Sequence, residues 1–165
     1  MVNIYGQKKE LARKYLEIAL EFNHFDYFVM GFPGLSIDEI DKYGNKIMDV
    51  SYTVEAIYDY YKTHSDSNIE KDFNDILIEQ ASTNLSISSV YNIFRVTNYC
   101  MQREKSNGAP FSISGLQILD ALKKNLQKNK EQFNRKMIRE NNESFKELTI
   151  EYIDETIDEF INCNR

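Results

Sequence analysis

The sequence predicts an all-α fold, a compact bundle of six or seven helices in a single domain spanning residues 1–165. Three observations carry that expectation. Only two prolines and six glycines occur in 165 residues, so few positions interrupt a helix. The chain is rich in Glu, Lys, Ile and Leu, which suit long helices. Apolar residues also recur at helical period through most of the length. At 19.4 kDa one core suffices to bury most of the surface that the unfolded chain exposes.

Each element follows from its own pattern. In "KKELARKYLEIALEF", Leu11, Tyr15, Ile18 and Phe22 fall at i, i+4, i+7 and i+11, the signature of one buried stripe. The run "FDYFVM" is apolar enough to be a strand at residues 25–30 or a short helix. From residue 37 to 63 the pattern is helical, with Val54, Ile57, Tyr58 and Tyr61 on one face; Gly44 and Asn45 leave open whether this is one helix or two. Ile69, Phe73, Ile76 and Leu77 define the next face, and Val90, Ile93, Phe94 and Thr97 another. A longer helix after Ser114 turns Leu119, Leu122, Leu126, Phe133 and Met137 inward, and a last helix begins near Ser144 or Thr149. Ser36 with Glu39, Ser67 with Glu70 and Ser144 with Glu147 have the Ser-x-x-Glu spacing of a capping box, in which each side chain satisfies a backbone donor of the other residue. The connections "GFPGLS", "THSDSN" and "KSNGAPFS" hold most of the turn residues, and none is long enough to separate domains.

The surroundings of the protein are also constrained. Cys100 and Cys163 match neither a disulfide framework nor zinc-knuckle spacing, so both are expected as reduced thiols. The N-terminal residues lack an apolar signal core, and nowhere do about 18 apolar residues run together. The expectation is a cytoplasmic protein that does not span a membrane.

The most distinctive segment is "ELTIEYIDETIDEF", residues 147–160. At about 100° per residue, Ile150, Ile153, Ile157, Phe160 and Ile161 form a core stripe, while Glu147, Glu151, Asp154, Glu155 and Asp158 gather on its flank. Glu143 and Glu147 sit near the helix start, where exposed N–H groups favour anions. Asp154, Glu155, Asp158 and Glu159 lie toward the opposite end, where the dipole disfavours them. Each like-charge neighbour there costs about 0.2–0.5 kcal/mol, so a compensating cation is expected.

Three sources of positive charge are weighed. The first is internal: residues 123–139 carry Lys123, Lys124, Lys128, Lys130, Arg135, Lys136 and Arg139 against Glu131 alone. Lys124, Lys128, Arg135 and Arg139 project away from the Leu119–Leu122–Leu126 stripe. Only Lys123 and Lys130 lie close enough to it to reach across, so internal pairing is expected to be partial.

A metal ion is the second. "EYID" at 151–154, "ETID" at 155–158 and "ENNE" at 140–143 resemble the Glu-x-x-Asp and Glu-x-x-Glu pairs of helical nucleotide pyrophosphohydrolases, which imply Mg²⁺ held by two packed helices. The departure is that "ENNE" falls at a break between helices; Asp72, Asp75 and Glu79 would then have to supply the second helix. This makes a Mg²⁺-dependent nucleotide phosphohydrolase the alternative function. No residue is assigned as a metal ligand or as catalytic, and no cofactor is expected. His24 and His64 lie near helix ends without metal-ligand spacing, Cys100 falls in an apolar run, and no glycine-rich phosphate loop occurs.

The third source is a basic protein partner. Net charge is −6 and the sequence pI about 5.0. Residues 37–79 contribute eleven acids against Lys42, Lys46, Lys62 and Lys71, a net of −7. This balance disfavours direct nucleic-acid binding despite the outward basic stripe. It suits a small acidic protein that blocks a basic partner such as a nuclease, as immunity proteins, antitoxins and phage inhibitors do: the field speeds encounter and carboxylates occupy places meant for phosphates. The expected partner is a basic protein such as a toxin or a nucleic-acid enzyme; charge steers it, and affinity needs anchors. The expected binding residues are Glu151, Asp154, Glu155, Asp158, Glu159, Asp72, Asp75 and Glu79, with Tyr27 and Tyr60 as exposed aromatic anchors. A homodimer is left open by the sequence.

Overall fold

The computed structural model describes residues 4–30, 39–40, 46–47, 50–133, 155, 157–159 and 161–162. The fold is an all-α bundle. Six helices lie within the described residues: α1 (Ile4–Glu21), α2 (Phe25–Val29), α3 (Val50–Thr63), α4 (Ile69–Thr83), α5 (Ile87–Lys105) and α6 (Gly115–Lys128). A further helical turn covers 130–133, and the described residues of 155–162 are helical. No helix among the described residues is long and apolar enough to cross a membrane.

Packing is pairwise and shares one core. α1 lies on α2 and α3, α3 on α5, α4 on α2, α5 and α6, and α5 on α6. The stripes read from the sequence largely hold. Val54, Ile57 and Tyr58 of α3, Phe73 and Leu77 of α4, Val90, Ile93, Phe94 and Thr97 of α5, and Leu119, Leu122, Leu126 and Phe133 are all buried. Each fully buried large apolar side chain contributes about 1.5–3 kcal/mol. Ile157 is buried as expected of the last helix, while Ile150, Ile153 and Phe160 lie outside the described residues, as does Met137.

α1 departs from its predicted stripe. Its buried residues are Ala12, Leu16 and Ala19, whereas Ile18 is 50% and Phe22 62% exposed. The buried set is the expected one moved by one residue, a rotation of about 100°. The two alanines give the physical reason, since small side chains let α1 approach its neighbours closely. The larger Ile18 and Phe22 are left facing out.

One point left open by the sequence is decided, and two further expectations are corrected. "FDYFVM" is helical rather than extended, with Phe25, Phe28 and Val29 buried. Residues 37–63 are not continuous helix: Glu39–Ile40 and Lys46–Ile47 pair antiparallel, Glu39 opposite Ile47 and Ile40 opposite Lys46, and among the described residues of this stretch only α3 is helical. Gly44 and Asn45 lie outside the described residues. Ser67 does not close a capping box, because Asn68 occupies the cap position of α4 and makes no side-chain cap bond. The box at Ser144 lies outside the described residues, and Glu39 sits in the ladder instead of a helix start. Ser86 provides a serine cap at α5, accepting from the Ser89 amide at 3.5 Å.

Two helix ends are closed alike. Asn23 (φ 58°) and Asn107 (φ 59°) adopt the left-handed conformation. The following amides, His24 N to Ala19 O at 2.7 Å and Gly108 N to Arg103 O at 2.7 Å, satisfy carbonyls of α1 and α5. This is the Schellman closure, for which asparagine is the usual substitute for glycine. At α1 it turns the chain directly into α2, which places Asp26 beside α4.

Candidate acidic groove

α2 is held in place from two sides. Phe25 packs near Phe73 of α4 with ring centroids 6.5 Å apart, and the Asn92 side chain of α5 donates to the Met30 carbonyl at 2.6 Å. Between α2 and α4 lies an open groove of about 300 Å³, with Phe25 and Ile76 supplying its apolar part. Its rim carries Asn23 and Asp26 on one side and Asp72, Asp75 and Glu79 on the other. The spacing i, i+3, i+7 keeps the three α4 acids on one flank and spreads them over about 10 Å of helix.

These carboxylates are largely unopposed. Asp75 pairs with Lys71 along α4 at 2.7 Å, and that contact holds the Lys71 ammonium above its ordinary range. Asp26, Asp72 and Glu79 make no ion pair among the described residues. Tyr27 stands next to the groove in sequence, 67% exposed, with its ring edge-on to His24 at 5.4 Å.

The other expected site residues are placed differently. Asp158 accepts from Lys123 of α6 at 2.5 Å, so one of the two lysines that could reach across does. Glu155 and Glu159 are exposed, and Glu151 and Asp154 lie outside the described residues. Tyr60 is only partly exposed, contrary to its expected outward position; its ring stacks on His64 at 4.0 Å. No three His, Cys, Asp or Glu side chains among the described residues converge to hold a metal ion.

A second acidic constellation joins α3 to α5. Glu55 accepts from Tyr99 Oη at 2.7 Å and from Arg103 Nε and Nη2 at 2.8 and 3.2 Å. The Arg103 guanidinium also lies 5.8 Å from the centre of the Tyr58 ring. Nearby, burial pushes the Glu104 carboxyl above the usual carboxylate range, opposed by the Ser112 hydroxyl and the Ile113 amide. Burial likewise raises the Tyr58 hydroxyl, with the Cys100 thiol adding to it. Cys100 is fully buried and its thiol is pushed up to about 12. A thiol held protonated in this way is core and not a nucleophile, as the apolar run around it implied.

Asp26 and the Glu55 constellation were missed by sequence reasoning. Asp26 becomes part of the groove only once its segment is helical. Glu55 and Arg103 are 48 residues apart and share no motif.

The described residues thus form an all-α domain with a carboxylate-rimmed groove between α2 and α4. No protein-family pattern, curated protein or solved structure matches the chain.

Proposed function

We propose that this chain is an acidic protein-binding module that captures a basic protein and blocks it, in the manner of an immunity, antitoxin or phage-type inhibitor protein acting on a nuclease. The observation that carries the reading is the groove: Asp26, Asp72, Asp75 and Glu79 share one rim, and among the described residues only Asp75 of these has an internal ion pair. A rim of this kind attracts Lys and Arg side chains that would otherwise contact phosphates, and its field raises the encounter rate at low salt. Glu155 and Glu159 are further exposed acids, whereas Asp158 is already engaged by Lys123.

Mg²⁺-dependent nucleotide hydrolysis has less support. The groove acids are spread along a helix rather than gathered about one point, and Asp158, one of the last-helix acids that scheme could draw on, is held by a lysine.

The test is retention and inhibition together. The immobilised chain is exposed to an extract of its source organism, bound proteins are eluted with salt, and their activity on nucleic acid is assayed with and without the chain. The reading expects a basic, nucleic-acid-handling enzyme that loses activity in the complex. It is overturned if no basic protein is retained, or if the retained enzyme stays fully active.

A further inference from the structure

Of the stripe that periodicity assigns to the core, Leu11 and Tyr15 are half-buried, whereas Ile18 and Phe22 at its C-terminal end lie on the surface. Ile18 and Phe22 are 50% and 62% exposed, and the helical bond from Phe22 N to Ile18 O at 3.1 Å keeps them on one side of the helix. The next residue, Asn23, already belongs to the groove rim, and Tyr27 follows on the other side of the turn, 67% exposed. Large apolar residues grouped in this way are uncommon on a surface that meets only water.

Charge complementarity selects the occupant. A second copy of this chain would bring the same sign of charge, net −6, against the carboxylates beside the face. Resting on the reading of the chain as a binder of a basic protein, we infer that the Ile18–Phe22–Tyr27 face and the adjoining groove receive a basic amphipathic helix of that partner. Asp72, Asp75 and Glu79 repeat at i, i+3, i+7, so Lys or Arg at the same repeat on a helix laid alongside meets them in register. Its apolar edge covers Phe22 and Tyr27, with Phe25 and Ile76 beneath. This is helix-in-groove recognition, with aromatic anchors supplying affinity and the acids supplying register.

The probe is a synthetic helical peptide with lysines at i, i+3 and i+7 and a leucine edge, compared with a scrambled peptide of equal composition. Both are titrated into the full chain by fluorescence anisotropy at low and high salt. The ordered peptide is expected to bind about tenfold tighter than the scrambled one. Asp72→Asn with Glu79→Gln should remove most of that binding and flatten its salt dependence. Phe22→Ser with Tyr27→Ser should weaken it several-fold, keep the salt dependence, and leave the melting temperature unchanged.

Equal binding of both peptides, still dependent on the groove acids, would overturn the helix inference while leaving the basic-partner reading intact. Failure of both peptides to bind through the groove would overturn the two together. A large fall in melting temperature for Phe22→Ser alone would assign that face to this chain's own core, and the inference would fail on that count.

Discussion

Glu55 and the acids of the α2–α4 groove are the same chemistry put to opposite uses. Glu55 is surrounded: Tyr99 and Arg103 take up both its oxygens, and the contact ties α3 to α5. Asp26, Asp72 and Glu79 have no such partners among the described residues. The difference teaches that a carboxylate's value to the fold depends on its donors and burial, not on its place in a charged run. Acids that the fold does not employ are the ones free to meet a partner.

That comparison breaks most visibly at Glu55. Glu55→Ala strands the guanidinium and the Tyr99 hydroxyl, and since both ionic side chains are about 30% exposed, the expected loss is about 1.5–3 kcal/mol. Urea unfolding measures it. A loss below about 0.5 kcal/mol would mean that Glu55 is as dispensable as the groove acids.

Glu104 sharpens the same contrast through pH. Its carboxyl titrates above its unfolded value because it is buried, so the folded chain binds more protons than the unfolded chain between those two values. The stabilisation is therefore fully present below the unfolded value and is lost as pH rises through the folded one. Glu104→Gln is expected to raise stability near neutral pH and to remove this part of the pH dependence, as unfolding curves taken from pH 4 to pH 7 would reveal. A variant with an unchanged pH profile would show that the carboxyl is solvated.

Asp158 lies between the two extremes. The Asp158 side chain is 50% exposed and Lys123 26%, and Asp158→Asn is expected to cost about 0.2–1 kcal/mol. A double-mutant cycle with Lys123→Met isolates the pair. A coupling above about 2 kcal/mol would place Asp158 with Glu55 as a structural acid.

Much of the fold was legible because burial imposes a period on helices. The stripes of α3, α5 and α6 could be read from Val54–Ile57–Tyr58, Val90–Ile93–Phe94 and Leu119–Leu122–Leu126. α1 was misread because hydrophobicity alone ranks Ile18 and Phe22 above Ala12 and Ala19; close helix approach favoured the small residues. The ladder at residues 39–47 was hidden by its brevity, two residues to a strand. Of the candidate site, Asp72, Asp75, Glu79 and Tyr27 were legible from spacing and position. Asp26 was not, because its role depends on how α2 packs against α4; the reach of Lys123 to Asp158, by contrast, follows from its place beside the Leu119–Leu122–Leu126 stripe.

The central claim is that the groove carboxylates serve a partner and not the fold, and the unfolding free energy of an Asp26→Asn, Asp72→Asn, Asp75→Asn, Glu79→Gln variant tests it most directly. Neutralisation relieves the Asp72–Asp75 and Asp75–Glu79 repulsions, each about 0.2–0.5 kcal/mol. It also gives up the Lys71 pair and the favourable position of Asp72 in the first turn of α4, effects of similar size. The account predicts stability within about 1 kcal/mol of the parent chain. A loss above about 2 kcal/mol would show that these acids are structural, as Glu55 is, and would contradict it.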